Sequence, residues 1–211
     1  MVGYGPNPNE CIDLLKQLNL TCLAGNHDRA ATGDLDTADF NPDARSACEW
    51  TADRLTESSR EFLRSLEPAA TVNGVHLAHG SPRDPLLEYT SGMAVAAANF
   101  EHFNTRLCMV GHTHVPVVFS RHQTPDQNPE YRAAVPAPDI PVDVKAEKLI
   151  VNPGSVGQPR DGDPNAAYMI YDPAEETLSL ARREYDVART QAAMRRQNLP
   201  ERLVERLSYG W

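Results

Sequence analysis

Gly25-Asn26-His27-Asp28, His79-Gly80 and Gly111-His112-Thr113-His114 are three short segments that crowd together metal-ligand and proton-transfer side chains. Each follows an apolar run that reads as a strand. Leu23-Ala24 leads into the first, Val75 to Ala78 into the second, and Leu107 to Val110 into the third. Strands that end together bring such side chains to one edge of a sheet, where α/β folds place their ligands. Asn26 with His79, His112 and His114 is then a ligand set suited to Zn, Mn or Fe. Metal-assisted hydrolysis is the chemistry that such a set supports. Taken singly the motifs say less. Asn-His-Asp after a glycine reads as turn chemistry, and one His at a strand end finds a local hydrogen bond. In extended chain His112 and His114 project to the same side, so both reach one metal cluster. Three motifs in this order, each after a strand, argue against three unconnected turns. His76 faces the other side of its strand from His79, His102 falls on a helix, and His122 falls in a loop.

The elements that must position these groups alternate and then cluster. Asn7-Pro8-Asn9-Glu10 opens a first helix, with Asn7 as cap, Pro8 at its first position and Glu10 in the first turn. Its apolar face is Ile12, Leu14, Leu15 and Leu18. Leu20 to Ala24 reads as a short strand, residues 29–41 as a polar loop, and Pro42 to Leu66 as two helices. Asn73-Gly74 predicts a hairpin joining a strand near Thr71-Val72 to the one over Val75 to Ala78. A helix is expected over Ser91 to Phe103 and a strand over Val115 to Ser120. Residues 121–142 hold five prolines without a period, which predicts a Pro-rich loop excursion over 121–148. Leu149-Ile150-Val151 is a strand ending at Asn152-Pro153-Gly154-Ser155. Ala166 to Tyr171 and Thr177 to Tyr185 pair as strands, and 186–211 is a charged C-terminal helical segment interrupted by Pro200. This order predicts one layered α/β domain over 1–211 with mixed sheets.

Composition bounds the function. The 211 residues are 41 % apolar and 23 % charged, with a net charge of −9, as in an ordinary globular domain. The negative charge argues against non-specific binding to a nucleic-acid backbone. It permits a phosphorylated substrate, because bound cations invert the local field. No apolar run approaches the roughly 18–20 residues that span a membrane, and the N-terminus does not read as a signal peptide. Cys11, Cys22, Cys48 and Cys108 form no close pair. Buried thiols in a reducing cytoplasm are the expectation.

The order Gly-Asn-His-Asp, His-Gly, Gly-His-Thr-His and Asn152-Pro-Gly-Ser-Val-Gly-Gln-Pro-Arg160 resembles the calcineurin-like metallophosphoesterases. It most resembles their small bacterial phosphodiesterase branch, from Val2 nearly to the C-terminus. The resemblance implies a four-layer fold, two mixed β-sheets packed face to face and flanked by helices, with two divalent metals (Mn, Fe, Zn or Ni). It makes Asn26, His79 and His112 ligands of one metal and His114 a ligand of the other. It makes His27 the residue that contacts the phosphate and donates a proton to the leaving group, Asp28 the residue that orients it, and a small phosphorylated molecule the substrate.

The departure from the family is informative too. The family opens with strands ending in Asp-x-His and Gly-Asp, whose acids and histidine are ligands. Here the acids before Gly25 are Glu10 and Asp13, and there is no early histidine. The expectation is therefore a chain shortened at its N-terminus, lacking the first strand-helix-strand unit, and holding at most about one metal by ligand count. A hydrolase of phosphodiesters or phosphomonoesters is the first reading. The alternative is a catalytically impaired fragment of the fold, acting as a binding or regulatory module. A nuclease is disfavoured, because the chain has no basic stripe.

Overall fold

The computed structural model describes residues 1–126, 128–145 and 148–211. The chain divides into two compact units. One is Met1–Pro68 with Asp186–Tyr209, and the other is Ala69–Tyr185 with Gly210–Trp211.

The first unit is helical. It contains α1 (Pro8–Lys16), α2 (Asn26–Ala31), α3 (Pro42–Arg54) and α4 (Glu57–Ser65), joined by α6 (Val187–Arg196) and α7 (Glu201–Glu205) from the C-terminal segment. Local chemistry sets the helix starts. Asn41 accepts from Ala44 N–H at 3.0 Å, Thr56 from Ser59 N–H at 3.2 Å, and Asp186 from Arg189 N–H at 2.8 Å. Each satisfies a backbone donor that the helix cannot. Asn7 makes no such side-chain cap on α1, where Pro8 takes the first position. Val2, Ile12, Ala31, Leu55 and Leu63 form one buried cluster. Ala47, Met194, Leu199, Leu203, Val204 and Leu207 form another, which seats the C-terminal helices on α3.

Two expectations fail in this unit. Leu20 to Ala24 is not a strand, because a strand needs a ladder partner and this unit holds no strands among its described residues. Ala24 N–H donates instead to Glu67 O at 2.9 Å, and Leu20 is left exposed. The polar loop expected over 29–41 begins inside α2, so Asn26, His27 and Asp28 occupy a helix's first turn.

The second unit carries the sheets. A six-stranded sheet has the order β1 (Ala69–Val72), β2 (Val75–Ala78), β3 (Leu107–Val110), β7 (Lys148–Pro153), β4 (Pro116–Gln123), β5 (Pro129–Ala134). A three-stranded antiparallel sheet has the order β6 (Val142–Asp143), β9 (Thr177–Arg183), β8 (Ala166–Asp172). The β1–β2 hairpin turns at Asn73 and Gly74, with φ of 49° and 78°, the left-handed pair such a turn requires. β2, β3 and β7 run parallel, with Ala78 opposite Val110 and Met109 opposite Val151. Their C-terminal ends, at His79, Gly111 and Asn152, therefore share one edge. The expectation holds for these three.

Alternation builds the layers. Cys108, Val110, Phe119 and Ile150 pack with Ala96 and Phe100 on and after α5 (Met93–Asn99). Their neighbours Leu107, Val118, Leu149 and Val151 pack on the opposite face against Leu178, with Met169 and Tyr171, of the smaller sheet. The fold is mixed α/β, two sheets face to face with helices, as expected.

The excursion over 121–148 is more ordered than a loop. β5 pairs along β4 from Val118–Ala134 to Gln123–Pro129, and β6 joins the small sheet. Residues 127, 146 and 147 lie outside the described residues. β5 is almost wholly exposed, an edge strand whose proline sits at its first position. That placement is where a sheet tolerates proline, and it hides the strand from a reading of composition. Of the four cysteines, Cys48 and Cys108 are buried as expected, Cys22 is half-buried and Cys11 is exposed.

Candidate functional site

In the second unit the shared edge gathers His79 and His112. Gly111 N–H donates to His79 O at 2.9 Å, which closes the two strand ends together. The chain then turns sharply. His112 and His114 both have φ of 62°, a left-handed conformation uncommon outside glycine. The expectation of extended chain at His112 and His114 is therefore corrected: these are turn residues. Asn152, fully buried at the end of β7, ties the turn by donating to Gly111 O at 2.5 Å and Thr113 Oγ1 at 2.9 Å.

The rings are oriented by carbonyls. His112 Nε2 faces Leu87 O at 3.2 Å. A carbonyl only accepts, so the ring proton sits on Nε2 and Nδ1 keeps its lone pair. Nδ1 meets His79 Nε2 at 3.1 Å. His114 Nδ1 lies 2.8 Å from Gln158 O, which puts its proton on Nδ1 by the same argument. Metal-ligating histidines show this pattern, one nitrogen on a backbone carbonyl and the other toward the metal. Burial pushes the His112 imidazole down to about 4, and the Arg160 guanidinium adds to this against Leu87 O and Asp84. The ring is neutral at pH 7, the form that binds metals. Tyr89 stacks on it with centroids 3.8 Å apart.

These residues fit a divalent cation. Two imidazole nitrogens at about 2.0–2.1 Å from one ion stand about 3 Å from each other, close to the separation between His79 and His112. Among the described residues, no group of three or more His, Cys, Asp and Glu side chains is gathered to hold a metal.

In the first unit α2 presents the other group. Asn26 is buried at its first position. Asp28, 1 % exposed, accepts from Val2 N–H at 2.9 Å, Gly25 N–H at 2.8 Å and the Met1 amino group at 2.9 Å. Burial opposes ionisation, but the Met1 ammonium and these donors hold the carboxyl below its ordinary range. His27 is caged. Tyr4 and Phe40 lie 4.3 and 5.1 Å away, ring to ring. Its Nδ1 is 3.0 Å from Cys48 Sγ. Burial, then Asp28 and Glu49, push that thiol up to about 12, so it keeps its proton. Gly3 closes the cage. Its φ is +110°, and a Cβ there would stand 2.4 Å from His27 Nδ1.

Sequence reasoning passes over Gly3, Tyr4, Phe40 and Cys48 around His27, and Leu87, Tyr89 and Gln158 around the histidine pair. Leu87 and Gln158 act through carbonyls, which leave no mark in a sequence. The Gly3-Tyr4-Gly5 run and Tyr89 are visible as residue types, but only the fold says what they touch. His76 stacks on Phe103, with ring centroids 6.1 Å apart.

The model of the calcineurin-like phosphoesterase superfamily domain matches residues 2–176. An uncharacterised protein of Methanocaldococcus jannaschii is 35 % identical over all of this chain and 84 % of its own length. The crystal structure of a metallophosphoesterase from Sphaerobacter thermophilus superposes with a TM-score of 0.86 at 42 % identity, covering 99 % of this chain and 85 % of that one. A hypothetical protein of Pyrococcus horikoshii shares the fold, with a TM-score of 0.76 at 18 % identity over 99 % of this chain and 82 % of its own. With its two face-to-face sheets and its His-rich sheet edge, the chain belongs to the calcineurin-like phosphoesterase superfamily.

Proposed function

We infer that this chain is a metal-dependent phosphoesterase that hydrolyses phosphodiester or phosphomonoester bonds of a small substrate. The observation that carries the reading is the His79–His112 pair, 3.1 Å between ring nitrogens, with the other nitrogen of His112 on a backbone carbonyl. By the family resemblance, Asn26, His79 and His112 would hold one divalent ion (Mn, Fe, Zn or Ni), and His114 would belong to a second. The ligand count supports about one ion per chain. When bound, such an ion supplies Lewis acidity toward phosphate oxygens and makes water nucleophilic near neutral pH.

The chain's own groups do the rest. His27 contacts the phosphate and gives its proton to the departing oxygen, general acid catalysis of the usual imidazole kind. As a general acid the ring must be imidazolium, with Nδ1–H donating to Cys48 Sγ and Nε2–H the proton that is transferred. Asp28 anchors the first turn of α2 and so orients His27. No helix among the described residues is long and apolar enough to cross a membrane. The free cysteines support work in the reducing cytoplasm.

The test is hydrolysis of an aryl phosphodiester and an aryl phosphomonoester with added Mn²⁺, before and after chelation. Turnover that Mn²⁺ activates and chelation abolishes is expected. Metal binding with no turnover on either ester would favour the second reading, a binding or regulatory module. That reading draws on the lack of a larger ligand group among the described residues.

A further inference from the structure

The loop after β2 holds a second device. It runs Gly80-Ser81-Pro82-Arg83-Asp84-Pro85-Leu86-Leu87-Glu88-Tyr89. Two of its residues reach His112: Leu87 through its carbonyl and Tyr89 through its ring. Between them in the chain lies Glu88. Its carboxylate accepts from Ser81 Oγ at 2.7 Å and Asn99 Nδ2 at 2.7 Å, and pairs with Arg83. Ser81 and Asn99 are fully buried. Asn99 also accepts from Arg83 N–H at 2.9 Å, so α5 grips the loop at two points.

The loop folds onto its own start. Gly80 N–H donates to Pro85 O at 2.7 Å and Ser81 N–H to Asp84 O at 3.0 Å. A Cβ at Gly80 would stand 2.8 Å from Asp84 O and 3.0 Å from Glu88 O. The backbone at Glu88 is thus pressed against the residue that follows His79. The knot lies beside the point where Leu87 O and the Tyr89 ring meet His112.

The structure assigns Glu88 as a positioning residue: through the Ser81–Asn99–Arg83 knot it holds Leu87 O and Tyr89 against His112, fixing the tautomer and tilt that aim Nδ1 at the metal position. The metal clause rests on the phosphoesterase reading above. The positioning of the ring does not. Loss of a group that orients a ligand in this way costs about 10–100-fold in metal affinity.

The experiment uses the whole chain with Glu88→Ala, Glu88→Gln, Tyr89→Ala and Tyr89→Phe. Histidine ¹⁵N NMR of the metal-free protein reads the His112 tautomer, and titration with Mn²⁺ reads affinity. The wild type is expected wholly in the Nε2–H form. Glu88→Ala is expected to mix in the Nδ1–H form and to weaken Mn²⁺ binding by about 10–100-fold. Glu88→Gln keeps an acceptor for Ser81 or Asn99 and should restore most of both readouts. Tyr89 is half-exposed, so its variants fold even where Glu88→Ala does not. Tyr89→Ala should loosen the ring and Tyr89→Phe should not. A wild-type tautomer and affinity within twofold in Glu88→Ala, or in Glu88→Gln and Tyr89→Ala together should Glu88→Ala fail to fold, overturns the assignment. A wild type that binds no Mn²⁺ overturns the reading of His112 as a ligand, while the tautomer result still decides what Glu88 does.

Discussion

The two groups of histidine chemistry in this molecule are held by different means. On the sheet edge, His112 and His114 each give one nitrogen to a backbone carbonyl, at 3.2 and 2.8 Å. On α2, His27 is boxed by Tyr4, Phe40, the Gly3 backbone and a thiol. Carbonyl partners leave one nitrogen of a neutral ring with a lone pair and a defined direction, the requirement for a ligand. A cage of rings and a thiol fixes the place of a ring, which suits a group that must gain and lose a proton. Secondary structure follows the same division. His79 and His112 follow the ends of the parallel strands β2 and β3, and His114 lies in the turn between β3 and β4. His27 stands on a six-residue helix that a buried carboxylate anchors.

The largest effect that sharpens this contrast is on turnover. His27→Ala should lower the rate of phosphoester hydrolysis by about 10²–10⁴-fold, the usual contribution of a general acid. A rate within tenfold of the wild type would place His27 outside the chemistry. Next is the anchor. Asp28→Ala removes the buried partner of Met1, Val2 and Gly25, and such losses cost about 3–5 kcal/mol. Denaturant unfolding should show that drop with the His79–His112 pair unaltered by NMR.

Gly3→Ala is smaller. It forces a left-handed side-chain residue against the His27 ring, at about 1–3 kcal/mol, and should slow turnover without weakening Mn²⁺ binding. Equal damage to both would break the contrast between cage and ligands. The smallest effect is a pH slope. The Arg83 hydrogen bond, followed by those of Asn99 and Ser81, holds the Glu88 carboxyl down to about 2 against its ordinary 4.5. A lowered carboxyl pKa adds stability above 4.5 that is lost as pH falls toward 2. The melting temperature should therefore fall more steeply across that window in the wild type than in Glu88→Gln.

Much of this is legible in the sequence itself. The Asn73-Gly74 hairpin, the β2, β3 and β7 strands and their common edge follow from turn chemistry and apolar runs, which act locally. The family motifs marked His79, His112 and His114. What failed depended on partners distant in the chain. Leu20 to Ala24 has strand composition and no ladder to join. β5 has loop composition and is a strand because β4 offers it an edge. His112 and His114 look like extended chain until Asn152, 40 residues from His112, bends the turn between them. The carbonyls of Leu87 and Gln158 carry no residue-type signal at all, so the orientation of the rings could only be seen folded.

The central claim is that the sheet-edge histidines hold the metal and His27 does not. The most direct test is Mn²⁺ affinity of His112→Ala and His27→Ala measured side by side on the whole chain. The account predicts that His112→Ala loses more than about 100-fold, beyond the range of an outer-shell change, while His27→Ala binds as the wild type does. Loss of Mn²⁺ from His27→Ala equal to that from His112→Ala, with normal turnover once the His27→Ala protein is reloaded, would contradict it.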